Sequence, residues 1–376
     1  MRNVSMKKIL FMFVVAAMFS CNSKSQEATS AGTDEQPKDS DSKVTLLFIG
    51  DMMQHDGQIK AARQADGTYA YHCFDKVKPI IESADVAIAN LEVTHAGPPH
   101  KGYPRFCAPD EYLYAIHNAG VDVLLTANNH CCDTGKKGLE RTIDLLDSLK
   151  IPHLGTYKNA AERDRTYPLM VEKNGIKIAL LNYTYGTNGI PTPQGNIVNL
   201  DNDREQIKKD IAKAKSMNPD VIIANMHWGI EYVLLPNSQQ KEFAQWLLDQ
   251  GVDHVIGGHP HVIQPAEVRQ NAKTGEKNLV VYSLGNYVSN MTKPNCTGGL
   301  MVKLELEKKN GKVGYAGSSY GFVWVSRPAH NGKDFMIWPA DNTEGMNNAE
   351  KAASATFFSN MRAHMQKNCV GIGEWK

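Results

Sequence analysis

The chain has 376 residues, a formal net charge of +1 at pH 7 and 42% hydrophobic residues. These values are ordinary for a globular protein, and the length allows one large domain or two. Nucleic-acid-binding proteins usually carry excess positive charge, often as a Lys/Arg-rich stripe interleaved with aromatic residues. The sequence has neither feature, which argues against nucleic acid as a partner.

The first residues have the pattern of a targeting signal. Arg2, Lys7 and Lys8 precede an apolar run, "ILFMFVVAAMF", that ends at Ser20 and Cys21. The run is far shorter than the roughly 20 residues that span a bilayer, so it predicts a secretory signal. A small residue before a cysteine is typical of a bacterial lipoprotein signal, here residues 1–21, with Cys21 as the lipidated N-terminus. The alternative is a plain signal peptide with an incidental cysteine. Either way we expect an exported protein, and with the lipid a membrane-anchored lipoprotein of the cell envelope, on the periplasmic or surface side.

Residues 22–43 are polar and nearly free of large apolar side chains. Such a segment cannot bury enough surface to offset its ordering entropy, which predicts a flexible linker. The globular domain then spans residues 44–376. Its six cysteines fall in an exported context that permits disulfides, but their spacing does not fix a connectivity.

Strand-like segments recur along the domain. Each is a short apolar run followed abruptly by polar or glycine residues, and near-continuous apolar runs suit strands that are buried on both faces. These segments cover residues 44–56, 85–95, 121–133, 177–186, 220–232, 252–261 and 279–288.

Helical and hairpin patterns separate or follow these strands. Apolar residues recur with helical spacing over residues 137–150, 202–216 and 238–251, the last with Ser238 as the predicted N-cap. Residues 299–325 alternate apolar and polar side chains around "NGK", a hairpin pattern, and a final helix is predicted over 349–368. The fold class is therefore mixed α/β (α+β), with residues 291–376 supplying a hairpin and helix that complete the fold.

Polar side chains collect where the apolar runs end. The ends of strands that share one direction meet at one edge of a sheet, where open α/β folds place their sites. Imidazole, carboxylate and amide groups without thiolates suit Mn, Fe or Zn. The residues concerned are Asp51, His55, Asn90, Glu92, Asn128, Asn129, His130, Asp133, His227, Trp228, Glu231, His259, His261 and Asn286.

The "HPH" of residues 259–261 carries the most specific part of this pattern. Alternate residues of an extended segment share a face, and the proline is expected to hold the backbone extended, so both imidazoles could face one ion. The alternative for any single histidine at a strand end is a capped, solvent-touching residue. Trp228 and Glu231 either shape a substrate wall or, for Trp228, belong to the core. Asn286 is either at the edge of the site or a turn former.

Six segments in this order, "FIGDMMQHD", "IANLEVT", "TANNHCCDTGKKGLERTIDLL", "NMHWGIEY", "VIGGHPHVIQP" and "VYSLGNYV", resemble the bacterial CapA/PgsA family of capsule and poly-γ-glutamate synthesis proteins. The resemblance covers roughly residues 44–290. That family is similar in turn to the calcineurin-like metallophosphoesterases. The resemblance implies a four-layer αββα sandwich with mixed β-sheets and a site at the strand ends for two divalent ions, Mn, Fe or Zn.

Carried over by motif, the resemblance implies a general acid, His130, oriented by Asp133, and a set of metal ligands: Asp51, His55, Glu92, Asn129, His227, His259 and His261. Three positions depart from the metallophosphoesterase pattern. Met53 stands where a histidine is usual, so His55 is the substitute. Glu92 stands where the bridging aspartate would be. Asp133 follows His130 by three residues rather than directly.

The resulting expectation is an envelope lipoprotein of capsule or poly-γ-glutamate production that acts on or guides an anionic polymer. Its partners would be that polymer or a phosphate-bearing substrate, the membrane through the lipid, and membrane-bound capsule synthesis subunits. One alternative is a stand-alone metal-dependent phosphoesterase or amide hydrolase. Another is a non-catalytic assembly module that binds polymer without turnover.

Overall fold

The computed structural model describes residues 41–271 and 274–375. The predicted signal with Cys21 and all but the last residues of the predicted linker lie outside them. The strands are β1 (Ser42–Met52), β2 (Val86–Leu91), β3 (Val123–Leu125), β4 (His153–Leu154), β5 (Thr156–Tyr157), β6 (Leu169–Lys173), β7 (Ile176–Thr184), β8 (Ile197–Val198), β9 (Val221–His227), β10 (His254–Gly258), β11 (Ile263–Gln270), β12 (Lys277–Leu284), β13 (Asn286–Val288), β14 (Gly298–Lys309), β15 (Lys312–Ser326), β16 (Met336–Pro339) and β17 (Gly373–Glu374).

Helices connect many of these strands. They are α1 (Asp56–Ala62), α2 (Lys78–Glu82), α3 (Asp110–Asn118), α4 (Gly135–Ser148), α5 (Ala160–Thr166), α6 (Arg204–Ser216), α7 (Ser238–Asp249), α8 (Pro328–Asn331) and α9 (Asn348–Asn368). None of these helices has both the length and the apolar character needed to cross a membrane.

Two mixed sheets dominate the described residues. The first has the order β16-β15-β14-β1-β2-β3-β4, with β13 beside β1 and β17 beside β15. The second has the order β11-β12-β10-β9-β7-β6. Strands β1 to β4 are parallel to one another, as are β7, β9, β10 and β12, while the other partners are mostly antiparallel. The parallel strands place their carboxyl ends at a common edge of each sheet, as the sequence predicted.

The two sheets pack against each other and carry helices on their outer faces. Phe48 of β1 shares a hydrophobic cluster with Ile223 of β9, so the inner faces of the sheets meet. On the opposite face of the first sheet, Ile49 clusters with residues of α2 and α3, including Leu113. Residues of α6 and α7, including Leu247, cover the second sheet. This arrangement confirms the predicted four-layer αββα sandwich with mixed sheets.

Most of the local predictions are confirmed. Helices α4, α6, α7 and α9 lie where apolar spacing placed them, and β14 and β15 form the predicted hairpin. Its turn is Asn310-Gly311, both at positive φ as a two-residue hairpin requires. The predicted cap of α7 is wrong. Asn237, not Ser238, is the N-cap, since its side chain accepts the backbone N–H of Gln240 in a capping box.

Cysteines form no disulfide among the described residues. Cys73, Cys107, Cys131, Cys132 and Cys296 are buried thiols, and Cys369 is half-buried. The sulfur atoms of the adjacent Cys131 and Cys132 lie 3.9 Å apart.

Candidate metal centre at the strand ends

A close approach of two backbones positions the first carboxylate of the site. Asp51 at the end of β1 donates its backbone N–H to the carbonyl of Gly285, at 3.0 Å. The preceding residue, Gly50, leaves no room for a side chain, since a Cβ there would lie 2.1 Å from the same carbonyl oxygen. β1 pairs with β13 so that Asp51 is level with Asn286. The glycine therefore allows Asp51 and Asn286 to meet at the sheet edge.

One group of candidate ligands combines residues from both sheets. Asp51 ends β1, Glu92 follows β2, and His227 ends β9 of the second sheet. One ligand atom from each of these buried residues lies within 4.8 Å of the others. Nε2 of His227 is 3.9 Å from Oε1 of Glu92. The group thus has the composition and spacing of a divalent-cation site.

A second group contains the two histidines of the "HPH" segment. Ligand atoms of Glu231, His259 and His261 also lie within 4.8 Å of one another. The expected extended backbone is wrong, however, because φ is +98° at His259 and +58° at His261. β10 ends at Gly258, and the chain then turns, so the carbonyl of Pro260 accepts the backbone N–H of Tyr232 at 2.8 Å. This turn, rather than an extended strand, directs both rings toward Glu231.

The two groups are in contact. Nδ1 of His261 lies 3.5 Å from Oδ2 of Asp51, and its Nε2 lies 4.0 Å from Oε1 of Glu92. Asn286 orients this imidazole: its Oδ1 accepts from Nδ1 of His261 at 3.0 Å, while its Nδ2 donates to the carbonyl of Cys296 at 3.0 Å. The Nδ1–H tautomer leaves Nε2 as the free ligand atom. Asn286 is therefore a supporting residue beneath a candidate ligand.

Amides connect the remaining candidate ligands. The side-chain amide of Asn90 donates to Asp51 at 2.8 Å and to Glu92 at 3.1 Å, and it lies 3.4 Å from Nδ1 of His227. On the other side of this ring, Nε2 of His227 lies 2.8 Å from Oδ1 of Asn129. Hydrogen bonds of this kind fix ring orientation and tautomer, as outer-shell partners do around metals.

His130 and Asp133 form a separate pair next to these groups. Nδ1 of His130 donates to Oδ2 of Asp133 at 2.7 Å, and the same oxygen accepts the backbone N–H of Phe106 at 2.6 Å. The three-residue separation still brings the carboxylate to the ring, because residues 130–134 form a tight turn. Nε2 of His130 lies on the side of Asn188, 3.5 Å from its amide nitrogen.

Burial dominates the protonation of the clustered groups. Burial, together with the charge of Asp51, raises the pKa of Glu92 well above its usual value. Burial and neighbouring imidazoles lower the pKa of His227 well below its usual value and that of His259 to about 4. For Asp51, burial is opposed by hydrogen bonding to His261 and Asn90 and by the nearby imidazoles, and its pKa falls to about 2. Burial thus keeps the rings of His227 and His259 neutral, the form that binds metal.

Two of the predicted site residues lie apart from the ligand groups. His55 stands at the N-terminus of α1, where its Nδ1 accepts the backbone N–H of Asn290 at 3.3 Å and lies 3.2 Å from Gln58. Trp228 is buried in the hydrophobic core, where its indole N–H donates to the carbonyl of Tyr282 at 2.9 Å. The indole thus packs as the core alternative expects, while the residue also lines a cleft beside the site.

Two residues of the cluster were missed from the sequence. The ring of Tyr185 lies 4.6 Å from that of His259, centroid to centroid. Asn188 accepts from the side-chain amide of Asn129 at 3.1 Å and lies beside His130. Both follow β7, one of the strands recognised from its apolar run. Extending the strand-end rule to that strand would have identified them.

Two buried atoms without hydrogen-bond partners are a second reason, besides spacing, that the residues fit divalent cations. Oε1 of Glu92 and Nδ1 of His259, one in each group, are buried and have no hydrogen-bond partner. Leaving a buried acceptor unsatisfied costs about 1–3 kcal/mol unless a water or an ion satisfies it. A cation in each group would satisfy these two atoms.

These observations define a class of protein: an αββα sandwich with a histidine–carboxylate cluster at its strand ends. The family model described as bacterial capsule synthesis protein PGA_cap matches residues 45–291. The chain belongs to this family.

Curated relatives carry names of the same kind. The chain is 30% identical over 257 residues to the capsule biosynthesis protein CapA of Bacillus anthracis, which covers 65% of this chain and 60% of that protein. It is 29% identical over 297 residues to the PGA biosynthesis protein CapA of Bacillus subtilis, covering 75% and 73%. The match therefore spans less than two thirds of the Bacillus anthracis protein. Among solved structures, the calcineurin-like phosphoesterase YfkN from Bacillus subtilis aligns over 85% of this chain and 98% of its own, with a TM-score of 0.45 and 16% identity.

Proposed function

We propose that this chain is an envelope protein of capsule or poly-γ-glutamate production that holds two divalent ions, Mn, Fe or Zn, and hydrolyses a bond in an anionic substrate. The observation that carries the proposal is the pair of buried, unpartnered ligand atoms, Oε1 of Glu92 and Nδ1 of His259, one in each ligand group. Unpaired acceptors placed together in a buried polar cluster favour cations over a purely structural role.

The proposed ligands come from both groups. Asp51, Glu92 and His227 would hold one ion, with Asn129 beside His227, and Glu231, His259 and His261 would hold the other. When bound, such ions stabilise negative charge on a phosphate or carboxylate oxygen and lower the pKa of water. Asn90 and Asn286 hold the ligand side chains in place by the hydrogen bonds described above.

His130 is the proposed general acid. The carboxylate of Asp133 accepts its Nδ1–H, which leaves Nε2 on the side of Asn188. A protonated Nε2 in that position can donate its proton to a leaving oxygen or nitrogen. Asp133 is a positioning residue, and the bond from the backbone of Phe106 holds its carboxylate in the required orientation.

The envelope location rests on the N-terminal sequence. A lipid on Cys21 would hold the domain near membrane-bound synthesis subunits and a growing anionic polymer. Partition of the full chain into a detergent phase, with loss of partition in Cys21→Ser, is expected. A wild type that carries no lipid and stays entirely in the aqueous phase would indicate an exported protein without a lipid anchor.

Hydrolysis is tested with the Mn-loaded protein on a panel of phosphate monoesters, phosphate diesters and γ-glutamyl oligomers. We expect turnover of one class, and a loss of about 100-fold or more in His130→Gln, the range of a general acid. His117→Gln, an exposed histidine on α3, is the matched control. A metal-loaded wild type that is inert on the whole panel would instead support a non-catalytic polymer-binding module.

A further inference from the structure

A cleft of about 470 Å³ opens beside the metal centre and has no role in the function proposed above. Tyr185 links the two, because its ring contacts that of His259 and also lines the cleft. Trp228 and Gly229, which follow His227 directly, form part of the same wall. A substrate bound at the metal centre could therefore extend into this cleft.

Arg204 at the start of α6 supplies the positive charge of the cleft. Its guanidinium lies 3.3 Å above the ring centroid of Phe243 and 4.5 Å from that of Trp246. Nη1 is buried without a hydrogen-bond partner, and no ion pair of this side chain lies within the described residues. Stacking fixes the plane of a guanidinium and leaves its edge available for a bidentate acceptor.

Asp201 supplies a negative charge in the same cleft. Its backbone N–H donates to the carbonyl of Thr184 at 2.9 Å, which fixes it beside the end of β7 and next to Tyr185. Its carboxylate makes no hydrogen bond or ion pair with any other described residue, and burial raises its pKa to about 6 despite the charge of Arg204. Thus Arg204 and Asp201 line one cleft together with Glu242 and act on each other electrostatically, but neither side chain makes a hydrogen bond or ion pair with a described residue.

We propose that this cleft binds an amino-acid unit of the substrate, with its carboxylate on the guanidinium of Arg204 and its N–H group on the carboxylate of Asp201. Together, Arg204 and Asp201 can bind a ligand that carries a hydrogen-bond acceptor and a hydrogen-bond donor on neighbouring atoms. A γ-linked glutamate unit carries both groups on one Cα. The choice of that unit rests on the proposed function, whereas the pairing rests on Arg204 and Asp201 alone.

The test is calorimetric titration of the full-length protein with γ-glutamylglutamate, and with glutarate, which has carboxylates but no N–H group. We expect the wild type to bind the dipeptide more tightly than glutarate. Arg204→Gln should weaken dipeptide binding about tenfold or more, the effect of losing a charged hydrogen bond. Asp201→Ala should abolish the preference for the dipeptide. Arg165→Gln, an exposed arginine on α5, is the matched control and should bind like the wild type.

Folding of the variants needs its own check, because Arg204 packs on two aromatic rings. Circular dichroism provides it. If Arg204→Gln does not fold, NMR of the wild type replaces it as the test. The Nε–H resonance of Arg204 must then shift when the dipeptide is added. Equal binding by wild type and folded Arg204→Gln, or an Nε–H resonance that does not move, would overturn the inference.

The outcome is separable from that of the metal centre, because neither Arg204 nor Asp201 belongs to a ligand group. Repeating the titration after chelation makes the distinction. If a protein that holds no metal still binds the dipeptide through Arg204, the cleft proposal stands and the metal-dependent mechanism fails. A protein with metal bound but no Arg204-dependent binding would overturn the inference alone.

Discussion

The backbone N–H of His259 lies 3.3 Å from the carboxylate of Asp51, to which it donates a hydrogen bond across 208 positions of sequence. The two residues belong to different sheets, since Asp51 ends β1 and His259 follows β10. The cluster therefore forms only when both sheets have packed together. Its geometry reports on the whole sandwich rather than on a local segment.

Replacing Glu92 with Gln should have opposite effects on stability with and without metal. In the presence of chelator, the variant no longer buries a second carboxylate beside Asp51, so its Tm should equal or exceed that of the wild type. With Mn²⁺ in excess, the wild type should gain stability by linkage, about 2.7 kcal/mol at 100 times Kd, and the variant should gain much less.

Thermal unfolding with EDTA and with Mn²⁺ measures these opposite effects on Tm. Glu172→Gln, an exposed glutamate on β6, is the control and should respond to Mn²⁺ like the wild type. Equal stabilisation of Glu92→Gln and wild type by Mn²⁺ would rule Glu92 out as a ligand.

Gly50→Ala should damage both the fold and the site. The added methyl group would lie 2.1 Å from the carbonyl oxygen of Gly285 and 3.2 Å from Cβ of Leu284, and a backbone must move to admit it. We expect a loss of about 1–3 kcal/mol in the free energy of unfolding, measured with urea, and weaker metal binding because Asp51 is displaced. Gly373→Ala, where a Cβ meets nothing within 4 Å, is the control. Wild-type stability and metal affinity in Gly50→Ala would refute this account of the strand junction.

Asp253→Asn should remove a pH dependence of stability. Burial raises the pKa of Asp253 from 3.8 to about 6, although its carboxylate accepts the backbone N–H of Ile222 at 2.8 Å. A raised folded-state pKa means that the free energy of unfolding increases as pH falls from about 6 toward 3.8, by up to about 3 kcal/mol, and that this contribution is lost above pH 6. Asparagine keeps the acceptor without the charge.

Urea unfolding at pH 5 and pH 8 measures this effect. The variant should be more stable than the wild type at pH 8 and should lack the extra stability at the lower pH. Asp122→Asn is the control for losing such a carboxylate, because the Asp122 carboxylate likewise accepts the backbone N–H of Ala87. An unchanged pH dependence in Asp253→Asn would show that Asp253 does not titrate in this range.

The sequence was sufficient for the architecture because the strands are buried on both faces and so read as continuous apolar runs. The strand-end rule then placed Asp51, Glu92, Asn129, His227 and the "HPH" histidines near one another, and the structure brings them together. This inference needs only strand direction, which parallel crossovers impose. It does not need side-chain geometry.

What failed depends on backbone turns that strand periodicity does not encode. The rings of His259 and His261 are directed by positive φ angles, not by an extended strand. His55 is held at the N-terminus of α1 by contacts with Gln58 and Asn290, and α1 has too few residues for its apolar spacing to be recognised. Tertiary contacts between distant segments set both positions.

Metal content is the first quantity to measure for the two-ion site. The protein is expressed with Mn, Fe and Zn in excess, purified and analysed by inductively coupled plasma mass spectrometry, beside His259→Ala/His261→Ala. The exposed pair His72→Ala/His117→Ala is the matched control. We predict close to two ions per chain in the wild type and the control, and a loss of at least one in the His259/His261 variant. A wild type that contains no stoichiometric metal after such expression would rule out the proposed two-ion site.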